Sequence, residues 1–175
     1  MFLTLIGYRG CGKTSAAVAL AKRLALPTFD SDRIVQERAG CSIQEIFEQQ
    51  GELSFRDLEE RVIAEILLSP QGILAAGGGA ILRETTRNRM RNAGHVIWLT
   101  ASVEELGRRI ASDPESPAQR PNLTEAGLLQ EIESVLLSRL PAYEAASTLR
   151  IETGEKSTDE VADEIVRSLR LTGRD

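Results

Sequence analysis

The sequence has few cysteines, few aromatic residues and no long hydrophobic run. Its two cysteines, Cys11 and Cys41, are too few for a disulfide framework, and they lack metal-site spacing. No stretch approaches the ~18 uninterrupted apolar residues of a membrane helix, and no secretory signal pattern precedes the first apolar run. The net charge of −5 argues against nucleic-acid or membrane-surface binding. We therefore expect a cytoplasmic protein with neither nucleic-acid nor membrane partners.

The remaining composition is that of an ordinary globular protein. The chain has 175 residues, of which 42% are hydrophobic and 27% charged. This suits one compact domain over residues 1–175, large enough to bury a core without disulfides or metals. No apolar face is evident beyond the stripes that a core requires, so we expect a monomer.

The most informative segment is Gly7–Thr14, which fits the phosphate-loop pattern G-x-x-x-x-G-K-[ST]. It follows the apolar run Phe2–Ile6 and leads into the helical pattern Ser15–Leu20. In this order of strand, loop and helix, successive backbone N–H groups cradle phosphate oxygens at a helix N-terminus. We therefore predict that the chain binds a nucleoside triphosphate. A plain glycine-rich turn is the weaker alternative.

The residues of this loop have separate expected roles. Lys13 reaches the outer phosphates, and the Thr14 hydroxyl suits Mg²⁺, a cation that prefers oxygen ligands. Cys11 occupies one of the free positions of the motif, where many residue types are tolerated. The predicted contacts to ATP come from Gly10, Cys11, Gly12, Lys13, Thr14 and Ser15.

Short apolar runs alternate with helical patterns, which predicts an α/β fold with a parallel sheet covered by helices on both faces. The candidate strands are Phe2–Ile6, Thr28–Asp30, Gly72–Ala76, Val96–Leu99 and Leu149–Glu152. Apolar residues recur at helical steps after Gly51 (Phe55, Leu58, Val62, Ile66) and before Pro141 (Leu129, Ile132, Leu136, Leu140). Three helix starts carry a capping-box pattern: Ser42 with Glu45, Ser102 with Glu105, and Ser157 with Glu160.

A proline-rich segment from Ser112 to Leu123 interrupts this alternation. It holds three of the six prolines, so we expect an exposed loop and interpret it as a lid at about residues 112–123. Arg120 within it is a candidate for closing over the triphosphate. A solvated surface arginine is the alternative.

Two carboxylates, Asp30 and Asp32, follow the second predicted strand. In extended backbone they would project to the same side, at the strand ends where ligands bind in doubly wound sheets. One can hold Mg²⁺ through water while the other orients or deprotonates an attacking hydroxyl. The strand Gly72–Ala76 lacks an acidic residue, so Asp30 is the obvious source of the metal-assisting acid. A helix N-cap plus a surface acid would also explain the pair.

Three consecutive glycines, Gly77–Gly79, follow the third predicted strand. They leave no side chains and would open a surface against which a small ligand can lie. A flexible strand-to-helix turn is the alternative.

Taken in order, five blocks make the chain resemble the shikimate kinases, a family of P-loop enzymes similar to nucleoside-monophosphate kinases. The likeness runs from Phe2 to about Leu169. The matching blocks are Gly7–Ser15, Phe29–Asp32, Gly51–Arg56, Gly77–Gly79 and Arg139–Tyr143, with a partial match at Arg120–Leu123. The resemblance implies a three-layer P-loop kinase fold with a five-stranded parallel sheet and a mobile lid.

The resemblance also implies a reaction, the transfer of the γ-phosphate of ATP to the 3-hydroxyl of shikimate in aromatic amino acid biosynthesis. Lys13, Asp32 and Arg120 would be catalytic, with Asp32 as candidate base. The implied shikimate contacts are Asp32, Arg56, Gly78 and Arg139, with Arg120 reaching ATP and Thr14 binding Mg²⁺. Arginine suits a carboxylate because its guanidinium group forms directional, charge-assisted bonds.

Some residues depart from the family pattern. Asn122 stands where a leucine is frequent, and the loop Thr153–Lys156 on the adenine side lacks a proline that many members carry. His95 and Trp98 are interpreted as structural. Without the resemblance, Arg56 would be interpreted as a surface residue, and Arg139 as a partner of a helix dipole.

Two other functions remain open at this point. One is another small-molecule kinase of the same architecture, such as a gluconate or nucleotide kinase. The other is a catalytically silent ATP-binding domain with a regulatory role. The complete set of motif lysine, acids and arginines favours an active enzyme.

Overall fold

The computed structural model describes residues 1–113 and 125–171. Its centre is a parallel sheet of five strands in the order β2-β3-β1-β4-β5. The strands are β1 (Phe2–Ile6), β2 (Thr28–Asp30), β3 (Gly72–Ala75), β4 (Gly94–Thr100) and β5 (Leu149–Glu152). β1 lies between β3 and β4, so the loop after β1 emerges where the chain turns to opposite sides of the sheet. Ligands of parallel α/β sheets bind at such a position.

Seven α-helices surround the sheet within the described residues. They are α1 (Lys13–Leu24), α2 (Ser31–Ala39), α3 (Ile43–Ile66), α4 (Glu84–Ala93), α5 (Val103–Ser112), α6 (Glu125–Ala146) and α7 (Thr158–Ser168). A short 3₁₀ helix, Ala80–Leu82, follows the glycines after β3. All five predicted strands are therefore confirmed. β4 is longer than predicted, and β3 ends one residue earlier.

Two apolar cores confirm the prediction of helices on both faces. Leu3 and Leu5 of β1 face one core, which is completed by α1, α5, α7 and part of α6. Phe2 and Ile6 face the opposite core, with α2, α3, α4 and the end of α6. The alternation of side chains along β1 assigns its residues to the two layers. Trp98 is structural as predicted, stacked on Tyr143 with 5.2 Å between ring centroids.

The predicted helix starts are observed, with one difference in their caps. Ser42 and Ser157 each form the complete capping box with the glutamate three residues later. Ser102 accepts from the Glu105 backbone N–H, but the Glu105 carboxylate binds Arg108 and Arg109 instead of returning to Ser102. Two arginines on the same helix therefore take the carboxylate that the capping box would use.

Two helices contain residues that usually interrupt a helix. α3 consists of two helical parts that meet at a kink at Gly51, whose φ of 80° and ψ of 169° are not helical. α6 runs through Pro141 to Ala146, because Tyr143 and Ala146 beyond the proline are fully buried. The extension of α6 matters for the site, because it places Arg139 in the helix interior.

Ser112 is the last residue of α5, so the helix includes the first residue of the predicted lid. Most of that lid, with Arg120 and Asn122, lies outside the described residues. Cys11 and Cys41 are both free thiols. Among residues 1–113 and 125–171, no helix is long and apolar enough to cross a bilayer.

Candidate active site

The phosphate loop joins β1 to α1 and is shaped by positive φ angles at glycine. Gly10 (φ 80°) and Gly12 (φ 89°) adopt left-handed backbone, which side chains disfavour. The Lys13 ammonium donates to the carbonyls of Gly7 (2.9 Å) and Tyr8 (3.0 Å), so it folds back over the loop. The predicted contact of Lys13 with the outer phosphates stays a prediction.

Thr14 and Asp30 form the oxygen-rich side of the loop. The Thr14 hydroxyl donates to Asp30 Oδ2 at 2.9 Å. Asp30 Oδ1 accepts from the backbone N–H groups of Asp32 and Arg33, so Asp30 is also the N-cap of α2. A hydroxyl and a carboxylate at this spacing are ligands that suit Mg²⁺, which usually keeps several waters and substrate phosphates in its shell.

The expected arrangement of the two acids was wrong in one respect. Asp30 ends β2 and Asp32 lies in the first turn of α2, so they do not project side by side from extended backbone. The alternative prediction, a helix N-cap, does not exclude a role at the site, because Asp30 both caps α2 and accepts from Thr14. One carboxylate serves both because its two oxygens face different donors.

Asp32 faces the glycines that follow β3. Its pKa is raised by burial and by the nearby Asp30, while Lys13 and Arg56 oppose the shift. A Cβ atom on Gly77 would collide with the Asp32 carboxylate and with Glu59 Oε1. Glycine at position 77 thus leaves room for these two acids in their observed positions.

The backbone of Gly77–Gly79 is held by contacts from three helices. The Gly77 N–H donates to the Ser31 hydroxyl at 2.8 Å. The Gly78 carbonyl accepts from Arg139 Nη1 (3.1 Å) and from the Tyr143 hydroxyl (3.2 Å). A Cβ on Gly79 would collide with the Arg56 guanidinium. The three glycines therefore bring Asp32, Arg56 and Arg139 to one place.

Arg56 is held by an ion pair that the sequence analysis did not identify. Its Nη1 lies 2.7 Å from Glu59 Oε2, and a weaker contact of 3.3 Å joins it to Glu52. Arg56 is 13% exposed and Glu59 only 4% by side chain. Burial raises the pKa of Glu59, and Arg56 counteracts the shift. Glu59 Oε1 has no hydrogen-bond partner among the described residues.

Arg139 does not lie at a helix end. α6 continues to Ala146, so an interaction with the helix dipole does not explain its position. Its guanidinium instead donates to the Gly78 carbonyl. Arg56 and Arg139 thus approach the same glycines from two different helices.

A cleft of about 590 Å³ extends from the phosphate loop past Asp30 and Asp32 towards the segment after β5. Arg109 of α5 lines it and donates to the carbonyls of Thr153 (2.9 Å) and Gly154 (2.8 Å). Sequence analysis did not identify Arg109. Arg120, predicted to reach ATP, lies outside the described residues.

Glu59 could have been found from the sequence. It shares a helical stripe with Phe55, Val62 and Ile66, all of which are buried in the core. A charged residue on an apolar stripe requires a partner, because burial of an unpaired charge is costly. Arg109 and Ser31 carry no comparable signal, since their contacts join segments far apart in the chain.

The fold and the site together define a class of protein. The sheet is parallel, with a phosphate loop after its central strand and a hydroxyl–carboxylate pair beside that loop. An acid and two arginines meet at the glycines after β3, and together these features are the arrangement of a P-loop small-molecule kinase.

Comparison with known proteins identifies the family. A family model for shikimate kinase matches residues 9–170. A shikimate kinase from Rhodopirellula baltica is 42% identical over 95% of this chain and 89% of its own length. One from Syntrophus aciditrophicus is 37% identical over 94% of this chain and 89% of its own length. The chain belongs to the shikimate kinase family, and it is an ATP-dependent phosphotransferase.

Solved structures agree with this assignment. Shikimate kinase from Acinetobacter baumannii in complex with shikimate has a TM-score of 0.86 at 30% identity, covering 97% of this chain and 92% of its own. Shikimate kinase from Aquifex aeolicus has a TM-score of 0.81 at 30% identity, covering 97% and 96%. The enzyme from Bacteroides thetaiotaomicron shares the fold, with a TM-score of 0.90 at 24% identity over 98% and 99%.

Proposed function

We propose that this shikimate kinase binds shikimate against Gly77–Gly79 and transfers the γ-phosphate of ATP to its 3-hydroxyl, with Asp32 receiving the hydroxyl proton. One observation carries the proposal: a carboxylate and two arginines from three separate helices meet at the same three glycines, beside the phosphate loop. Family membership sets aside a gluconate or nucleotide kinase. The structure of the Acinetobacter baumannii relative, in complex with shikimate, supports the choice of acceptor.

Arg56 and Arg139 suit the carboxylate of the acceptor. Each guanidinium offers forked donors, and each comes from a different helix, so an anion between them would be gripped from two directions. Gly78 contributes backbone at the point where Arg139 is anchored. This leaves Asp32 for the hydroxyl groups at the other end of the ring.

The position of Asp32 suits a proton acceptor. Burial raises its pKa above the usual aspartate range, which strengthens it as a base while Lys13 and Arg56 keep the charged form accessible. In the transfer, the 3-hydroxyl oxygen forms a bond to the γ-phosphorus as its proton passes to Asp32. The bond from that phosphorus to the bridging oxygen breaks, and the electron pair remains on ADP.

The nucleotide would lie along the phosphate loop. Lys13 neutralises charge on the outer phosphates, and the backbone from Gly10 to Ser15 cradles them. Thr14 would ligate Mg²⁺, with Asp30 acting through water. The ion would neutralise negative charge on the phosphates. Arg120 keeps the proposed role of contacting ATP from the lid.

Several broader features belong to the same proposal. The chain would act as a single domain over residues 1–175, as a monomer in the cytoplasm. Arg109, which joins α5 to the segment after β5, would stabilise the far end of the nucleotide cleft.

The experiment is a coupled assay of ADP release with Mg·ATP and either shikimate, gluconate or no acceptor. We expect saturable turnover that requires shikimate. Asp32→Asn should retain ATP binding and lose about 10²–10⁴-fold in kcat, the usual contribution of a general base. Asp57→Asn is the matched control, because Asp57 is exposed and pairs with Arg83. ATP binding without turnover on any acceptor would instead favour a silent regulatory domain.

A further inference from the structure

Arg9 is the residue of the phosphate loop that the reaction described above leaves without a task. It occupies a variable position of the motif, immediately before Gly10. It lines the same cleft as Lys13, Thr14 and Asp32.

The other arginines near the phosphate loop and the three glycines are bonded to protein groups. Arg56 pairs with Glu59, Arg109 pairs with Glu105, and Arg139 donates to the Gly78 carbonyl. Within residues 1–113 and 125–171, Arg9 pairs with no carboxylate, and its buried Nε has no hydrogen-bond partner. Its closest aromatic contact is the Tyr8 ring, with 6.0 Å from Cζ to the centroid.

A buried donor without an acceptor costs free energy, and the cost is larger for a charged group. The position of Arg9 indicates which group would supply the missing hydrogen-bond acceptor. It is part of a loop built for phosphate, and the Lys13 ammonium is bonded to the carbonyls of the two preceding residues, Gly7 and Tyr8. An anionic phosphate oxygen would satisfy the Arg9 guanidinium with a charge-assisted bond.

The same backbone also borders the acceptor side. A Cβ on Gly78 would lie 3.6 Å from the Gly7 carbonyl oxygen, so the start of the phosphate loop lies next to the glycines that face the acceptor. Arg9 follows two residues later. Arg9 therefore belongs to the loop that borders these glycines, and it lines the cleft beside Lys13 and Asp32. Arg56 and Arg139 are already assigned to the carboxylate of the acceptor, so Arg9 is not needed for that group.

We propose that Arg9 is a further catalytic residue, which binds the oxygens of the γ-phosphoryl group as it passes from ATP to the acceptor hydroxyl. The inference rests on the proposed function and names an additional cation for the same step. The charge of the transition state is spread over three equatorial oxygens, and Arg9 would neutralise part of it. No proton transfer is assigned to Arg9, because a guanidinium stays protonated.

The test compares Arg9→Ala and Arg9→Lys with wild type, and Arg89→Ala serves as the matched control. Arg89 is a half-exposed arginine on α4 that pairs with Glu60, away from the cleft. We expect Arg9→Ala to lower kcat by about 10²-fold, as loss of one charge-stabilising donor does elsewhere. The KM for shikimate and the Kd for ATP should change by less than about threefold. The kcat of Arg9→Lys should lie between those of Arg9→Ala and wild type, and the kcat of Arg89→Ala should equal that of wild type.

A second readout separates catalysis from structure. ADP with aluminium fluoride and shikimate mimics the transfer state, and its affinity should fall in Arg9→Ala by about the same factor as kcat. Guanidinium ion added to Arg9→Ala should restore part of the turnover, and thermal melting should match wild type. Arg9→Lys carries the test if the alanine variant does not fold.

Three results would overturn the inference. They are a kcat of Arg9→Ala within about threefold of wild type, a raised KM for shikimate with kcat unchanged, or unchanged affinity for the aluminium fluoride complex. Failure of the proposed function would look different, because the wild-type enzyme itself would then show no turnover that depends on shikimate.

Discussion

The two halves of the cleft are built in different ways. The phosphate half is one continuous stretch, Gly7–Ser15, to which Asp30, Arg109 and Thr153 are bonded from outside. The acceptor half takes Asp32 from α2, Arg56 from α3 and Arg139 from α6, and joins them at Gly77–Gly79. Local backbone geometry therefore determines the first half, whereas tertiary packing determines the second.

The electrostatics of the two halves differ as well. Lys13 is held by neutral carbonyls, so it stays available to phosphate. Arg56 is held by the buried carboxylate of Glu59, which fixes its position but also competes for its donors. A buried ion pair fixes the orientation of its two side chains, but removing both charges from water costs free energy. We infer that the acceptor half is the more sensitive to small changes in shape.

Removal of the Lys13 ammonium should have the largest effect and should be confined to the phosphate half. Lys13→Ala is expected to lower kcat by about 10³-fold, because it removes a cation at the developing charge. Shikimate affinity, followed by isothermal titration, should stay within about threefold of wild type. A large loss of shikimate binding would mean that the two halves are not independent.

An arginine-to-lysine change tests the acceptor half. Arg56→Lys keeps the charge but loses the forked geometry, so we expect KM for shikimate to rise by about tenfold. ATP affinity should not change. The measurement is a full kinetic matrix in both substrates, and Arg38→Lys on the exposed side of α2 is the control, because Arg38 pairs with Glu65 away from the site. An unchanged KM would contradict the assignment of Arg56 to the carboxylate.

Glu59 should act through Arg56, so its substitution should raise the KM for shikimate less than Arg56→Lys does. Glu59→Gln keeps the size of the side chain but weakens the anchor of Arg56, which predicts a KM for shikimate raised by about three- to tenfold. Its neighbour Glu60 pairs with Arg83 and Arg89 outside the cleft, so Glu60→Gln is the matched control. Equal effects of the two variants would show that Glu59 has no special role in positioning Arg56.

The smallest expected effect is a change in thermal stability that depends on pH. The pKa of Asp32 is raised in the folded chain, first of all by burial. The folded chain thus keeps this proton at pH values where the unfolded chain has lost it, and stability declines as pH rises through the folded pKa. An asparagine side chain at this position would have no proton to lose.

Asp32→Asn should therefore melt about 2–4 °C higher than wild type at pH 7, although it is inactive. The difference should vanish near pH ~3, below the ordinary aspartate pKa, where both states of the wild type are protonated. Melting curves over this range measure it. A constant difference at all pH values would mean that shape, and not the charge of Asp32, is responsible.

Much of the fold and of the phosphate half could be predicted from local patterns. Strand runs, capping serines and the glycine-lysine motif act over short stretches of chain, and all five strands are found. The predictions that failed concerned context. The carboxylate of Glu105 binds arginines instead of completing a capping box, and α6 continues through Pro141 because the residues beyond it are buried.

Site residues divide along the same line. Gly10, Lys13 and Thr14 have roles that follow from their order in the chain. The roles of Arg56, Gly78 and Arg139 followed only from resemblance to a family, because residues far apart in the chain meet through packing. Glu59 was missed although its place on an apolar stripe marked it as unusual.

The amino-acid sequence alone determined the class of fold and the phosphate-binding loop, because short-range backbone preferences and alternation of apolar residues suffice for both. The tertiary structure decided which charges are paired and which are free. It buried Glu59 against Arg56, turned Asp32 towards Gly77 and left Arg9 without a carboxylate in the described residues. The last two outcomes depend on how separate segments of the chain pack together, which no local pattern encodes. The Glu59–Arg56 pair lies within one helix, and packing decided only that it is buried.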